Sequence, residues 1–181
     1  MERLPYRATV QSAAYEGILA LPVTVVLDNV RSLYNVGAFF RTADAARVEK
    51  LCLCGITGRP PQRAITKTAL GAEETVPWDH TWEPVPLIEG LRAGGYEIAA
   101  IETTPQSLDL FDWQPNFPVC LLFGHEVDGL RAEVASLADQ HVRLPMLGTK
   151  HSLNVATAGG IVIYELLRKY RRLKESERMI L

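Results

Sequence analysis

Cysteine is scarce in this chain, with three in 181 residues, and Cys52 and Cys54 stand too close together to frame a disulfide. That excludes the disulfide-stapled class of small secreted domains. No apolar run approaches the ~20 residues that cross a bilayer, so no membrane role is expected. Met1-Glu2-Arg3-Leu4-Pro5 leads into no long apolar stretch before a small-residue cleavage site, and a cytoplasmic location is the expectation. Repeats with a period of about 20–50 residues, low-complexity tracts and Gly/Ser linkers are all missing. One domain over 1–181 is therefore expected, with 1–22 a short N-terminal extension and 168–181 a basic C-terminal tail. Also missing is a Gly-x-Gly-x-x-Gly turn near the first strand, which removes the dinucleotide-binding class. What is present is ordinary: 48% apolar and 22% charged residues, the balance of a folded globular domain.

The net charge of −2 gives no hint of a polyanionic partner, but its distribution does. Between 29 and 67, Arg31, Arg41, Arg47, Lys50, Arg59, Arg63 and Lys67 face only Asp44 and Glu49. The stretch 68–150 is strongly acidic, and basic residues return between Arg168 and Arg178. Such asymmetry gives a nearly neutral protein one positive face suited to a nucleic acid. Ordinary solvated surface accounts for the same residues, and salt-sensitive binding separates the two readings.

Apolar runs alternate with helical patterns. Val23–Leu27, Leu51–Cys54, Tyr96–Ile101 and Val119–Phe123 read as strands, continuous rather than alternating in hydropathy. Asn35–Ala46, Ala64–Leu70, Val85–Ala93 and Ser152 to about Lys174 read as helices, with Asn35 as a candidate cap. This predicts an α/β fold: a mainly parallel sheet with helices on both faces. Ligands of such sheets bind beyond the carboxyl ends of the strands, where the polar glycine-containing segments of this chain fall. Cys52, Cys54 and Cys120 are expected in the core. Trp78, Trp82 and Trp113 are expected to serve packing rather than base stacking.

Three segments carry chemistry. In Asn35-Val36-Gly37-Ala38-Phe39-Phe40-Arg41-Thr42-Ala43, a helix start offers free N–H groups to an anion, and Arg41 lies nearly two turns further on. On these residues alone Arg41 reads either as a surface salt-bridge partner or as a phosphate or ribose grip. In Leu122-Phe123-Gly124-His125-Glu126-Val127-Asp128-Gly129-Leu130, a strand runs into a turn that lets backbone approach a ligand, with Glu126 at its end. In Leu144-Pro145-Met146-Leu147-Gly148-Thr149-Lys150-His151-Ser152-Leu153-Asn154, an apolar loop leads into a helix whose first turn holds Ser152 and Asn154. Capping explains one of those two residues.

In this order and spacing, the three segments resemble the motifs of the SpoU (TrmH-like) RNA ribose methyltransferases of the SPOUT superfamily. The resemblance runs from about Val23 to Arg168, with Ala69–Glu74 similar to the stretch between the first two motifs. One departure is visible: the family often places an aromatic and a glycine after the Arg-Thr-Ala helix, where this chain has Arg47-Val48-Glu49.

The resemblance implies a carboxy-terminal trefoil knot, which periodicity does not suggest and which runs against the usual rule of unknotted chains. It implies S-adenosyl-L-methionine as methyl donor, held by Gly124, Leu144 and Leu153 with Leu122 and Met146 nearby, and no metal. It further implies a homodimer packed through the last helix, and RNA (tRNA or rRNA) as substrate. Arg41 would help deprotonate the ribose 2′-hydroxyl, with Asn35, Glu126, Ser152 and Asn154 positioning the reactants, some across the dimer. An arginine side chain, with a pKa above ~12, is a poor base, so that role needs a site that depresses its pKa or stabilises the alkoxide. The competing reading is a non-catalytic knot-fold protein that binds RNA or assists its assembly.

Overall fold

β-Branched and aliphatic runs without polar interruption make strands that must be covered on both faces, and the sheet has that form. The computed structural model describes residues 19–180. Among the described residues, seven strands are Leu21–Asp28 (β1), Val48–Cys54 (β2), Trp78–Thr81 (β3), Glu97–Ile101 (β4), Leu108–Asp109 (β5), Val119–Phe123 (β6) and Gln140–Arg143 (β7). The helices are Leu33–Ala46 (α1), Arg63–Ala69 (α2), Pro84–Ala93 (α3), Ala132–Ala135 (α4) and Val155–Ile180 (α5). The strands lie in the order β3-β2-β1-β6-β4-β7-β5, and every pairing is parallel.

Alternate residues of β1, β2, β4 and β6 feed two cores. Val25, Leu27, Leu51, Leu53, Leu121 and Phe123 pack against Phe39 and Phe40 of α1, Ile65 of α2 and Ile163 of α5. Val26, Cys52, Cys54, Ile98, Cys120 and Leu122 face the other way, toward Ile88 of α3 and Val134 of α4. The three cysteines are free and buried, as expected, and burial pushes the Cys52 thiol to about 11 and Cys54 to about 12. Such thiols stay protonated and inert at neutral pH.

Several boundaries move. The extension expected over 1–22 lies mostly outside the described residues, and β1 already begins at Leu21. The basic tail expected over 168–181 is helical as far as Ile180, as part of α5. Helix α1 starts before Asn35: Ser32 is its cap, its hydroxyl accepting from the Asn35 N–H at 3.4 Å. At the other end, Arg47 adopts the left-handed conformation (φ 53°) and closes the helix on the carbonyls of Ala43 and Asp44. An arginine thus occupies the place where a glycine stops such a helix more cheaply.

The chain order runs outward from β1 to β3, then crosses to β4, and β6 later fills the position between β1 and β4. The carboxyl ends of β1, β6, β4 and β7 consequently share one rim beside this reversal in strand order, which is where open α/β sheets bind ligands.

Candidate active site

The turn after β6 is built by two glycines with different tasks. A Cβ on Gly124 would lie 2.3 Å from the Gly129 carbonyl carbon and from the Leu130 nitrogen, so only glycine lets the turn fold onto itself. Gly129 takes φ +73°, the left-handed region that L side chains rarely adopt. His125 and Gly129 exchange backbone hydrogen bonds of 3.0 Å, and Glu102, just past β4, accepts from the Leu130 N–H at 2.7 Å. One residue further, Arg131 donates through Nε and Nη2 to both carboxylate oxygens of Asp28, at 3.0 and 2.9 Å. Asp28 is 1% exposed, so this bidentate pair fixes the turn to the end of β1.

That turn delivers Glu126 to the start of α1. Its carboxylate accepts from the backbone N–H groups of Arg31 (3.0 Å) and Ser32 (2.9 Å) and from the Asn35 side-chain amide (3.0 Å). Helix α1 has no acidic residue in its own first turn, so Glu126 supplies from far along the chain the negative charge that its amino end favours. Burial alone raises the Glu126 pKa. The hydrogen bonds from Ser32, Arg31 and Asn35 outweigh that and hold it below the usual glutamate range. A carboxyl lowered on folding stabilises the protein above its unfolded-state pKa, and that contribution fades as the pH falls through the lowered value. We therefore expect the melting-temperature gap between wild type and Glu126→Gln to be widest above the usual glutamate range and to narrow as the pH falls below it. A gap constant through that fall in pH would show that the ionised carboxylate is not the stabilising form.

Asn35 passes the contact on. Its carbonyl oxygen accepts from the Asn154 amide at 3.1 Å, while Asn154 Oδ1 accepts from the N–H groups of Ala156 (3.0 Å) and Thr157 (3.2 Å) and so caps α5. Residues from all three motif segments therefore meet in one chain of hydrogen bonds: Glu126, Asn35, Asn154. The two roles of Asn154 are separable. Asn154→Ala should cost about 1 kcal/mol as a lost cap, or roughly 2–4 °C in melting temperature for a chain of this size. Asn154→Asp keeps the cap oxygen, loses the donor to Asn35, and should melt closer to wild type in thermal denaturation.

Behind this network lies a cleft of about 170 Å³ at the shared rim. Gly124, Leu144, Met146, Ser152 and Leu153 line it, together with Glu126. Ile101, Glu102, Phe123 and Val142 line it too, and of these Glu102 is the polar group that sequence reading missed. Two expected residues stand elsewhere. Leu122 is fully buried in the opposite core, because strand alternation turns its neighbour Phe123 toward the cleft. Arg41 does not line the cleft; it is exposed on α1 and makes no hydrogen bond or ion pair among the described residues. Six residues of helix carry it about 9 Å along the axis from Asn35.

A parallel α/β sheet with a loop-walled cleft of mixed apolar and polar lining at its switch point defines the class of ligand-binding α/β proteins. Comparison with known sequences narrows that class. Residues 22–164 match the model of the SpoU rRNA Methylase family, and the chain belongs to that family. It is 31% identical over 149 residues to a 23S rRNA (guanosine-2′-O-)-methyltransferase of Vibrio parahaemolyticus, covering 82% of this chain and 60% of the relative. Among solved structures, the AdoMet-bound rRNA methyltransferase of Sinorhizobium meliloti superposes with a TM-score of 0.75 at 32% identity, covering 82% of this chain and 60% of that one. The A. aeolicus TrmH/SpoU tRNA modifying enzyme gives 0.77 at 27% identity, with coverages of 84% and 77%. The chain spans about 60% of the length of the first curated relatives it matches.

Proposed function

We propose that this chain is an S-adenosyl-L-methionine-dependent methyltransferase acting on a ribose 2′-hydroxyl of tRNA or rRNA. The observation that carries this reading is the Glu126–Asn35–Asn154 network, whose Glu126 lines a cleft walled by both apolar and polar residues. Ile101, Phe123, Leu144, Met146 and Leu153 offer aliphatic, aromatic and thioether walls suited to a purine, with backbone polar groups at the loop edges. At about 170 Å³ the cleft is smaller than the roughly 300–1,000 Å³ of a typical small-molecule pocket, so only part of the donor is enclosed. The bound donor supplies an electrophilic methyl group on a sulfonium.

The remaining task of the protein is alignment and charge. Asn35 and Asn154, fixed by each other and by Glu126, position the ribose and phosphate, and Ser152 adds a hydroxyl at the same wall. The 2′-oxygen takes the methyl as the methyl–sulfur bond breaks and leaves a neutral thioether, its proton passes to solvent, and the Arg41 guanidinium, assisted by the RNA phosphate, stabilises the negative charge that develops on that oxygen. Arg41 lies away from the cleft of its own chain, so the reading includes a homodimer packed through α5 in which each Arg41 serves the partner's cleft. The exposed apolar residues Ile161, Tyr164 and Leu173 on α5 support such packing. Similarity to the family also supports a trefoil knot in the segment following β6.

Transfer of a labelled methyl group from S-adenosylmethionine to bulk RNA tests the activity. Mapping 2′-O-methyl sites in cells with and without the protein then separates tRNA from rRNA. A protein whose melting temperature rises with the donor but which methylates no RNA would refute the enzymatic reading and favour a binding role.

A further inference from the structure

Trp82 does not do what a tryptophan in an acidic stretch is expected to do. Trp113 is 2% exposed and Trp78 packs edge-on against Phe40, but Trp82 is 64% exposed just past β3. Its ring stands at 89° to the His80 imidazole, with centroids 5.2 Å apart. The imidazole is itself fixed from both ends. Arg59 must donate to His80 Nδ1, at 2.8 Å, so His80 Nε2 carries the proton and donates to the Gly55 carbonyl at 3.1 Å. An exposed indole is thus braced on an immobilised ring, with a guanidinium beside that ring.

This cluster shares the rim of the proposed active site. Contacts connect the two: Leu33, in the first turn of α1 with Asn35, lies against Gly58, next to Arg59. The Gly55 N–H donates to Thr81 beside Trp82, and the Ile56 N–H donates to Asn29 at the end of β1. β3 stands three strand positions from β6, about 14 Å across the sheet, which is about four steps of a stacked nucleic-acid strand. Along the way, Arg31, Arg59 and Arg63 are exposed, and Lys67 lies 5.9 Å above the exposed Tyr34 ring. Cations alternating with exposed aromatic rings suit a single strand, whose phosphates and base faces present those two chemistries.

We propose that Trp82, backed by His80 and Arg59, is a stacking site for an unpaired RNA base a few nucleotides from the methylated ribose. This rests on the methyltransferase reading above and adds a place where substrate selectivity is set. Stacking of a base on an aromatic side chain accounts for about tenfold in affinity, and often more. In the full-length protein, Trp82→Ala should weaken binding of an unstructured ten-nucleotide RNA about tenfold and raise the KM for bulk RNA by a similar factor. The kcat and the donor-induced rise in melting temperature should stay within twofold of wild type and unchanged, respectively. Trp82→Phe should recover most of the affinity, and quenching of the exposed indole by the same RNA should vanish in both variants.

Wild-type-like affinity and KM in Trp82→Ala, with methyl transfer intact, overturn the stacking site alone. Unchanged RNA affinity combined with loss of a concentration-dependent dimer assigns Trp82 to a protein interface and also overturns it. If the wild type methylates no RNA, the methyltransferase reading falls, and absence of indole quenching in that same protein removes the stacking site with it.

Discussion

Arg41→Ala is expected to reduce methyl transfer by at least about 100–1,000-fold, the range for losing a group that stabilises charge only in the transition state. The melting temperature should not move, because the guanidinium is exposed and makes no hydrogen bond or ion pair among the described residues. Activity and stability are therefore cleanly separable here, which is uncommon for a residue in a helix packed on the core. Arg41→Lys sharpens the test. Lysine keeps the charge but loses the planar fork that grips a phosphate and an alkoxide together, so activity should stay far below wild type. Mixing Arg41→Ala chains with chains disabled in the Glu126–Asn35–Asn154 network by Asn35→Ala tests the dimer arrangement. Restored transfer in the mixture is expected if each arginine serves its partner's site. Failure to restore it, with subunits shown to exchange, would overturn the arrangement in which each arginine serves its partner's site. Undiminished transfer in the single variant would remove Arg41 from the chemistry altogether.

How far this site was legible in the sequence depended on which signals are local. β1, β2, β4 and β6 announced themselves as continuous aliphatic runs, and α1 by its Phe39, Phe40, Ala43 stripe. The missed strands lack that signal: β3 is Trp-Asp-His-Thr with no buried residue, β5 is two residues long, and β7 buries only Val142. They are strands because the sheet beside them offers unpaired backbone groups, a tertiary cause. The face that the Leu122 side chain takes was not legible for a related reason. A strand buried on both sides has no polar alternation, so its apolar run cannot say which side chains point to the ligand. Asn35 sat where a cap was expected, but Ser32 caps the helix and frees the Asn35 amide to join Glu126 to Asn154. Glu102 was unreadable because its partner, Leu130, lies 28 residues away and no motif joins them.

Gly124→Val is the variant expected to damage both fold and site. Even a bare Cβ at this position meets main-chain atoms of Gly129 and Leu130 at 2.3–2.4 Å, and main chain, unlike a flexible side chain, has nowhere to turn. The turn must open, which strains the 3.0 Å bonds between His125 and Gly129 and the 2.7 Å bond that ties Leu130 to Glu102. Overpacking of this kind costs about 3 kcal/mol, or roughly 6–12 °C in melting temperature. Because the same turn carries Glu126 and lines the cleft, donor binding should be lost as well, measured as disappearance of the donor-induced rise in melting temperature. Gly148→Ala is the matched control, since a Cβ there meets nothing within 4 Å. It should melt within about 1 °C of wild type, a surface change away from any packed feature. If Gly124→Val instead melted like wild type and still responded to the donor, the self-packed turn would not be what shapes the cleft. The positions of Glu126 and the Asn35–Asn154 pair would then need another cause.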